Sequence, residues 1–278
     1  MDGAAELSLD LERALDAAPG EDIERETVRL FTELGKAAAA NDSGIVFLVD
    51  EMQLLRREDL EALCAGAHRA SQDNLPLAIV GAGLPVLPER LAEAKSYAER
   101  LFIFPELGAL NETAARRAVE LPAASAFPDR EVRYEERAID AILTYSECYP
   151  YFLQAFGQQA WNAAPEGDAI ALEHAEEGAA LARADLDRDF FETRFARATP
   201  AGRRYLAAMA ELGDGPQPSG KIAVLGGWKD VRSAGPVRQA LIDKGLIYST
   251  DRGLVDFTVP HFADFTRRTH PLATLLDR

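Results

Sequence analysis

Residues 44–53 read G-I-V-F-L-V-D-E-M-Q, five consecutive apolar residues running into two adjacent carboxylates, Asp50 and Glu51. A short apolar run rich in β-branched and aromatic residues fits a strand buried on both faces, as in a parallel sheet. Ligands of such sheets bind beyond the carboxyl ends of the strands. Two acids placed there have a direct chemical use. One can hold Mg²⁺, and the other can polarise a water for attack on a phosphate. The same ten residues also allow a plainer reading, with Asp50 as a helix N-cap and Glu51 in the first helical turn.

The chain is long enough for about two domains. It is 47% hydrophobic and 27% charged, the balance of a globular protein with a sizeable core. No apolar stretch is long enough to cross a bilayer, and the acidic start Met1-Asp2-Gly3 lacks the features of a signal peptide. No membrane partner and a cytoplasmic location are expected. The widely spaced Cys64 and Cys148 suit a reducing compartment better than a disulfide framework. His68, His174, His261 and His270 are scattered, without metal-ligand spacing. The net charge of −16 argues against polyanion binding by the chain as a whole. Its distribution is uneven. From Arg197 onward 12 Lys/Arg face 8 Asp/Glu, which leaves −20 on residues 1–196 and suggests two parts with different partners.

The alternation at residues 7–11 suggests a short strand. Helical spacing covers residues 21–40, and another helix is expected at 57–71. A second buried strand fits 75–83, then a helix at 88–99 and a third apolar strand at 101–104. Strand and helix alternating over short connections mark a parallel sheet with crossover helices. From 109 to 165 the pattern is helical with no strand signal, a small lid, followed by a charged connector helix over 172–191. The last part has a different grammar. Thr199-Pro200 opens a helix, residues 219–225 form a second, and residues 235–244 a third with Arg238 and Lys244 free to face out. Two strands, 246–248 and 255–259, flank a turn at Asp251-Arg252-Gly253. Three helices and a hairpin in about 60 residues describe a winged helix.

Taken together, residues 45–53, 78–85, 96–107, 149–154 and 244–260 resemble AAA+/STAND-type ATPases related to archaeal and origin-recognition ATPases, actinobacterial ATP-binding proteins above all. The resemblance spans nearly the whole chain. It implies an α/β fold with a parallel-sheet P-loop-NTPase-like core, incomplete here, a helical lid and a C-terminal winged helix. Residues 1–108 would be the partial core with the Walker B strand, 109–196 the lid and connector, and 197–278 the winged helix. ATP and Mg²⁺ are the implied cofactors. Asp50 would be the Mg²⁺-side acid and Glu51 the residue orienting the attacking water. Arg100 falls where an arginine finger or γ-phosphate sensor sits. Its plainer reading is a surface arginine. Pro150 matches the Gly-x-Pro turn that touches adenine, with Cys148 in place of the glycine, or it simply punctuates two helices. Gly81-Ala82-Gly83 stands where a polar sensor belongs and offers no polar side chain.

One departure outweighs these matches. A P-loop needs a Gly-rich turn whose N–H groups cradle phosphates, followed by Lys and Ser or Thr, and GxxxxGK[ST] occurs nowhere in the sequence. Gly35-Lys36 is followed by Ala37, and Gly220-Lys221 by Ile222. The expectation is a truncated chain or a degenerate relative, with little ATP hydrolysis of its own. Two other functions remain open: a non-enzymatic DNA-binding regulator with a vestigial core, and a module that docks a protein partner or self-assembles. A reader of duplex DNA would use Arg232, Arg238, Lys244 and Arg252 on the third helix and wing. Other enzyme classes lack support, since there is no G-x-S-x-G, no paired Cys/His motif and no G-x-G-x-x-G after a strand. Nor do adjacent acids suit a two-carboxylate glycosidase.

Overall fold

The computed structural model describes residues 23–165 and 169–276. The short strand expected at 7–11 lies outside the described residues. The chain divides into two compact units, Met1–Phe104 and Pro105–Arg278.

In the first unit, helix α1 (Ile23–Ala40) buries Phe31 and Ala38, one apolar stripe of an amphipathic helix. Phe31 stacks on Phe47 of strand β1 (Ile45–Val49), with ring centroids 4.7 Å apart. Helix α2 (Arg57–Gln72) carries Gly66 opposite that ring. A Cβ at 66 would lie 2.7 Å from Phe31 Cδ2, so the glycine gives the phenylalanine its seat. The α2 crossover returns the chain to strand β2 (Leu77–Gly81), which pairs parallel with β1 from Ile45↔Leu77 to Val49↔Gly81. Met52, Leu60, Cys64, Leu91 and Ala98 form the core beneath the strand ends.

Two expectations fail here. First, the strands are not buried on both faces. Burial alternates along β1, and Val46 (58% exposed), Leu48 (79%) and Val80 (58%) stand on an uncovered side. Second, the strand expected at 101–104 does not form. The expected helix at 88–99 breaks at Lys95, which is extended, into α3 (Leu87–Ala94) and α4 (Ala98–Leu101). Lys95 Nζ instead reaches Glu24 Oε2 at 2.8 Å. Phe102 is extended but packs against the core, and Ile103 points into solvent. An extended apolar run becomes a strand only beside a partner edge, and among the described residues the sheet has two strands.

The second unit begins with α5 (Glu112–Ala124), capped by Asn111, whose Oδ1 accepts from Ala114 N at 2.9 Å. Helices α6 (Glu136–Ser146), α7 (Pro150–Ala163) and α8 (Leu172–Asp185) follow. A small correction applies here. Strand β3 (Arg133–Tyr134), inside the stretch 109–165 read as free of strands, pairs parallel with β4 (Ala169–Ile170) just beyond it. Two residues are too few for any periodicity to register. After α8 the helix continues as a π-helical segment, Leu186–Phe191, into α9 (Glu192–Ala196).

Next comes α10 (Pro200–Glu211), with Thr199 Oγ1 accepting from Gly202 N at 3.1 Å. Helix α11 spans Ser219–Leu225 and α12 spans Val231–Asp243. The latter starts four residues before its expected position, because Asp230 and Ser233 close a reciprocal cap. Strands β5 (Gln217–Pro218), β6 (Ile247–Asp251) and β7 (Leu254–Phe257) form an antiparallel sheet in the order β5-β7-β6. Helices α13 (Phe262–Thr269) and α14 (Leu272–Leu276) complete the described chain.

Residues 109–196 and 197–278 read as separate parts in the sequence but fall in one compact unit. Aromatic packing joins them. Phe191 stacks on Phe262 and Phe265, with centroids at 5.8 and 5.3 Å, and meets Phe152 at 5.7 Å. All four rings are buried. The π-helical segment puts Phe190 and Phe191 side by side at 88°, both against Phe152, with Phe190 also stacked on Tyr151.

Candidate functional site

The carboxyl end of β1 carries a connected set of polar groups. Asp50 and Glu51 are both exposed. Neither opens an α-helix: Glu51 precedes a 3-10 turn, Met52–Leu54, and makes no side-chain cap. Its backbone is left-handed, φ 51° and ψ 38°, a conformation that costs an L-residue roughly 1–2 kcal/mol. Two bonds brace it from the β2 side. Met52 N donates to Ala82 O at 2.9 Å, and Ala82 N donates to Val49 O at 2.8 Å. Asp50 Oδ1 accepts from Glu51 N at 2.8 Å.

Gln53 is the residue that motif reading missed. It is buried, its Nε2 donates to Glu51 Oε2, and its Oε1 accepts from Leu84 N at 3.1 Å. The Glu51 carboxylate is therefore held by a side chain that is itself held. The run Gly81-Ala82-Gly83 finds its reason here. A Cβ at 81 would overlap Met52 Sδ, and one at 83 would lie 2.7 Å from Gln53 Oε1. Small residues at and just after the end of β2 make room for the two residues that follow the acids. The only sequence signal for Gln53 was its place two positions after Glu51.

Among the described residues no group of three or more His, Cys, Asp or Glu is placed to hold a metal ion. A carboxylate or two at a strand end nonetheless fits Mg²⁺, which keeps most of its waters and takes further oxygens from phosphates. The GxxxxGK[ST] pattern that would hold the phosphates does not occur in the sequence. Cys64 offers no nucleophile. It is fully buried, and burial pushes its thiol up to about 11.

Arg100 lies in the same unit, exposed on α4 rather than at the head of a strand. The remaining sequence-selected residues lie in the second unit. Pro150 is the first residue of α7, after Glu147 and Cys148, both at positive φ (49° and 57°). Cys148 thus adopts the conformation a glycine would take without cost. Its carbonyl accepts from Leu110 N at 3.0 Å, and Ser146 O accepts from Tyr149 N at 2.9 Å.

The basic residues divide into two groups. Lys244 is not free to face out, contrary to expectation. Its Nζ donates to Arg197 O at 2.6 Å, while Arg197 Nη2 donates to Lys244 O at 2.9 Å. Arg197 caps the end of α9, and an ammonium there meets the negative end of the helix dipole. Arg238 is half-buried, and its charge offsets part of the rise that burial imposes on the Tyr205 phenol. Arg232, on the first turn of α12, and Arg252, in the β6–β7 turn, are exposed. Lys221 and Lys229, which sequence reasoning passed over, are exposed beside them in the chain. Among the described residues none of these four makes a side-chain hydrogen bond or ion pair. Arg267 and Arg268, by contrast, are tied to Asp214 and to Asp187 and Asp264.

Residues 188–266 match the family model described as a domain of unknown function, DUF8462. That span runs from the π-helical segment into α13. No curated protein matches the chain. Solved structures of Thermotoga maritima RuvB are similar in part. The one described as a Holliday junction branch migration motor is 18% identical, covering 81% of this chain and 71% of that chain at a TM-score of 0.44. A point variant of the same protein is 19% identical over 80% and 71%, at 0.45. A second variant is 15% identical over 85% and 95%, at 0.41. Likenesses this loose carry no argument about what the chain does. No helix among the described residues is long and apolar enough to cross a membrane.

Proposed function

We propose that the chain is a nucleotide-responsive module of the AAA+/STAND kind, cytoplasmic and without ATP hydrolysis of its own, coupled to a winged-helix docking part. One observation carries the first half. The acidic pair ends a strand paired in parallel, and Glu51 is kept in a costly left-handed conformation while Gln53 clamps its carboxylate. Backbone strain of this kind persists where the surroundings over-determine it, and it clusters at functional sites. In this reading Asp50 takes the Mg²⁺ side, Glu51 orients a water and Arg100 senses phosphate. Mg²⁺ would supply charge neutralisation for the phosphates. The sequence lacks the GxxxxGK[ST] pattern that cradles a triphosphate, so no hydrolytic step is assigned to it. Steady-state assays with ATP and Mg²⁺ are expected to show negligible turnover. Turnover that disappears in Glu51→Gln would overturn the non-hydrolytic reading. Calorimetry with ATP and Mg²⁺, comparing Asp50→Asn with the parent, tests the nucleotide reading itself. Absence of heat from both proteins would remove it.

A second reading, a non-enzymatic regulator that docks duplex DNA, is favoured by the four unpaired cations Lys221, Lys229, Arg232 and Arg252. If each meets a phosphate, log K against log[salt] slopes at about −3.6, at −0.9 per contact. Each alanine substitution then reduces the slope by about 1. Binding indifferent to salt would point instead to a protein partner.

A further inference from the structure

The second unit holds a cleft of about 310 Å³ that neither reading uses. Its walls come from α5, α7 and Tyr134 of β3. The volume lies at the lower end of the range for small-molecule sites. None of its eleven lining residues is charged.

Three features give the cleft a chemistry. Trp161 supplies an aromatic wall, and Phe127 stacks on it with centroids 6.1 Å apart. The Arg130 guanidinium lies 4.3 Å from the Phe127 ring centroid, which extends the stack. Next, Pro122 stands inside α5. Proline has no N–H, so it leaves the Ala118 carbonyl without its helical donor, and both residues line the cleft. Gln154 Nε2 lies 3.4 Å from that carbonyl, a long bond that a better donor would displace. One turn along α7, Gln158 brings a second carboxamide to the wall. Finally, Gly157 leaves the middle of the α7 wall bare. A Cβ there would meet only Tyr134 Oη at 3.8 Å and Val119 Cγ1 at 3.9 Å, both ordinary contacts.

We propose that this cleft binds a neutral, planar heterocycle with an amide-like edge, its ring against Trp161 and its N–H and C=O paired with Gln154, Gln158 and the Ala118 carbonyl. A carboxamide carries both donor and acceptor, so it matches a lactam edge as a complementary pair. An anion would meet no charged lining residue, since Arg130 lies against Phe127 outside the lining, and would lose its hydration without replacement. The Tyr134 hydroxyl donates to Gly157 O at 2.8 Å, and burial pushes its pKa up to about 12, so it adds no charge near neutrality.

The test uses the full chain and two probes that share a bicyclic ring: 2-quinolinone, a neutral lactam, and quinoline-2-carboxylate, an anion. Calorimetry and saturation-transfer NMR should show saturable binding of the lactam, at least about tenfold tighter than the anion. Gly157→Leu, which fills the cleft, should abolish binding while the circular dichroism spectrum is retained. Gln154→Leu should weaken it about tenfold. If Gly157→Leu does not fold, Gly157→Ala takes its place, since its added methyl meets no clash. It should lower affinity measurably. No binding of the lactam, equal binding of both probes, or full affinity in the folded Gly157 variant would overturn the proposal. None of these outcomes bears on the acidic pair.

Discussion

The two units solve the same problem with unequal success. The first sets two parallel strands on two helices and leaves Val46, Leu48 and Val80 in solvent on the far side. The second gathers Phe152, Phe191, Phe262 and Phe265 into a core with all four rings under 5% exposed. Parallel sheets are stable when covered on both faces, and a two-stranded sheet alone is marginal. The comparison teaches that apolar sequence measures what a segment would gain by burial, and the neighbours decide whether it is buried.

Substitutions can break this contrast. The largest effect is expected for Phe262→Ala, a loss of about 3–5 kcal/mol for a buried aromatic ring. Both tryptophans, Trp161 and Trp228, lie in the second unit, so their fluorescence during urea unfolding reads it alone. A loss under about 1 kcal/mol would mean the aromatic core is loosely packed. Gly81→Ala comes next. Its Cβ overlaps Met52 Sδ, and overpacking of this kind costs about 1–3 kcal/mol. Hydrogen exchange at 45–49 and 77–81 should accelerate, with partial rescue by Met52→Ala. Unchanged exchange would show that the strand ends give way freely.

Asp256→Asn tests the polar fringe of the second unit. Burial raises this carboxyl above its usual range, against the opposing bond from Phe257 N at 2.7 Å. The folded state then binds the proton more tightly than the unfolded state, so the carboxylate weakens folding as pH rises through the carboxylate range. Asn mimics the protonated form. The variant should melt higher than the parent at pH 7, and the difference should vanish below about pH 3.5. A difference that persists there would assign the gain to something other than charge. The smallest effect is expected for Leu48→Lys, within about 0.5 kcal/mol as for an ordinary surface site. Marked destabilisation in thermal melts would show that the bare face is covered in solution.

Much of this architecture was legible in the chain. The apolar runs at 45–49 and 77–81 and the helical spacing between them were enough for a parallel pair. Residues 219–225 were bounded correctly by a proline and two glycines. The start of α12 was missed although its signal was present, since Asp230 and Ser233 have cap spacing. Lys244 was misread because a lysine near a helix end faces solvent or a carbonyl according to what packs there, and here it is Arg197. Gln53 gave no signal beyond its place two positions after Glu51. Its role exists only because β2 brings Leu84 N within reach.

Local preference and spacing determined where the elements begin, which faces are apolar, and that two acids follow a strand, because these depend on neighbours within a few residues. Tertiary structure decided the rest. It left Ile103 without a partner strand, bent Glu51 into a left-handed turn under the grip of Gln53, and fused the helical and C-terminal parts through four phenylalanines. Each of those outcomes depends on groups far apart in sequence meeting in space, and a one-dimensional pattern carries no record of such meetings.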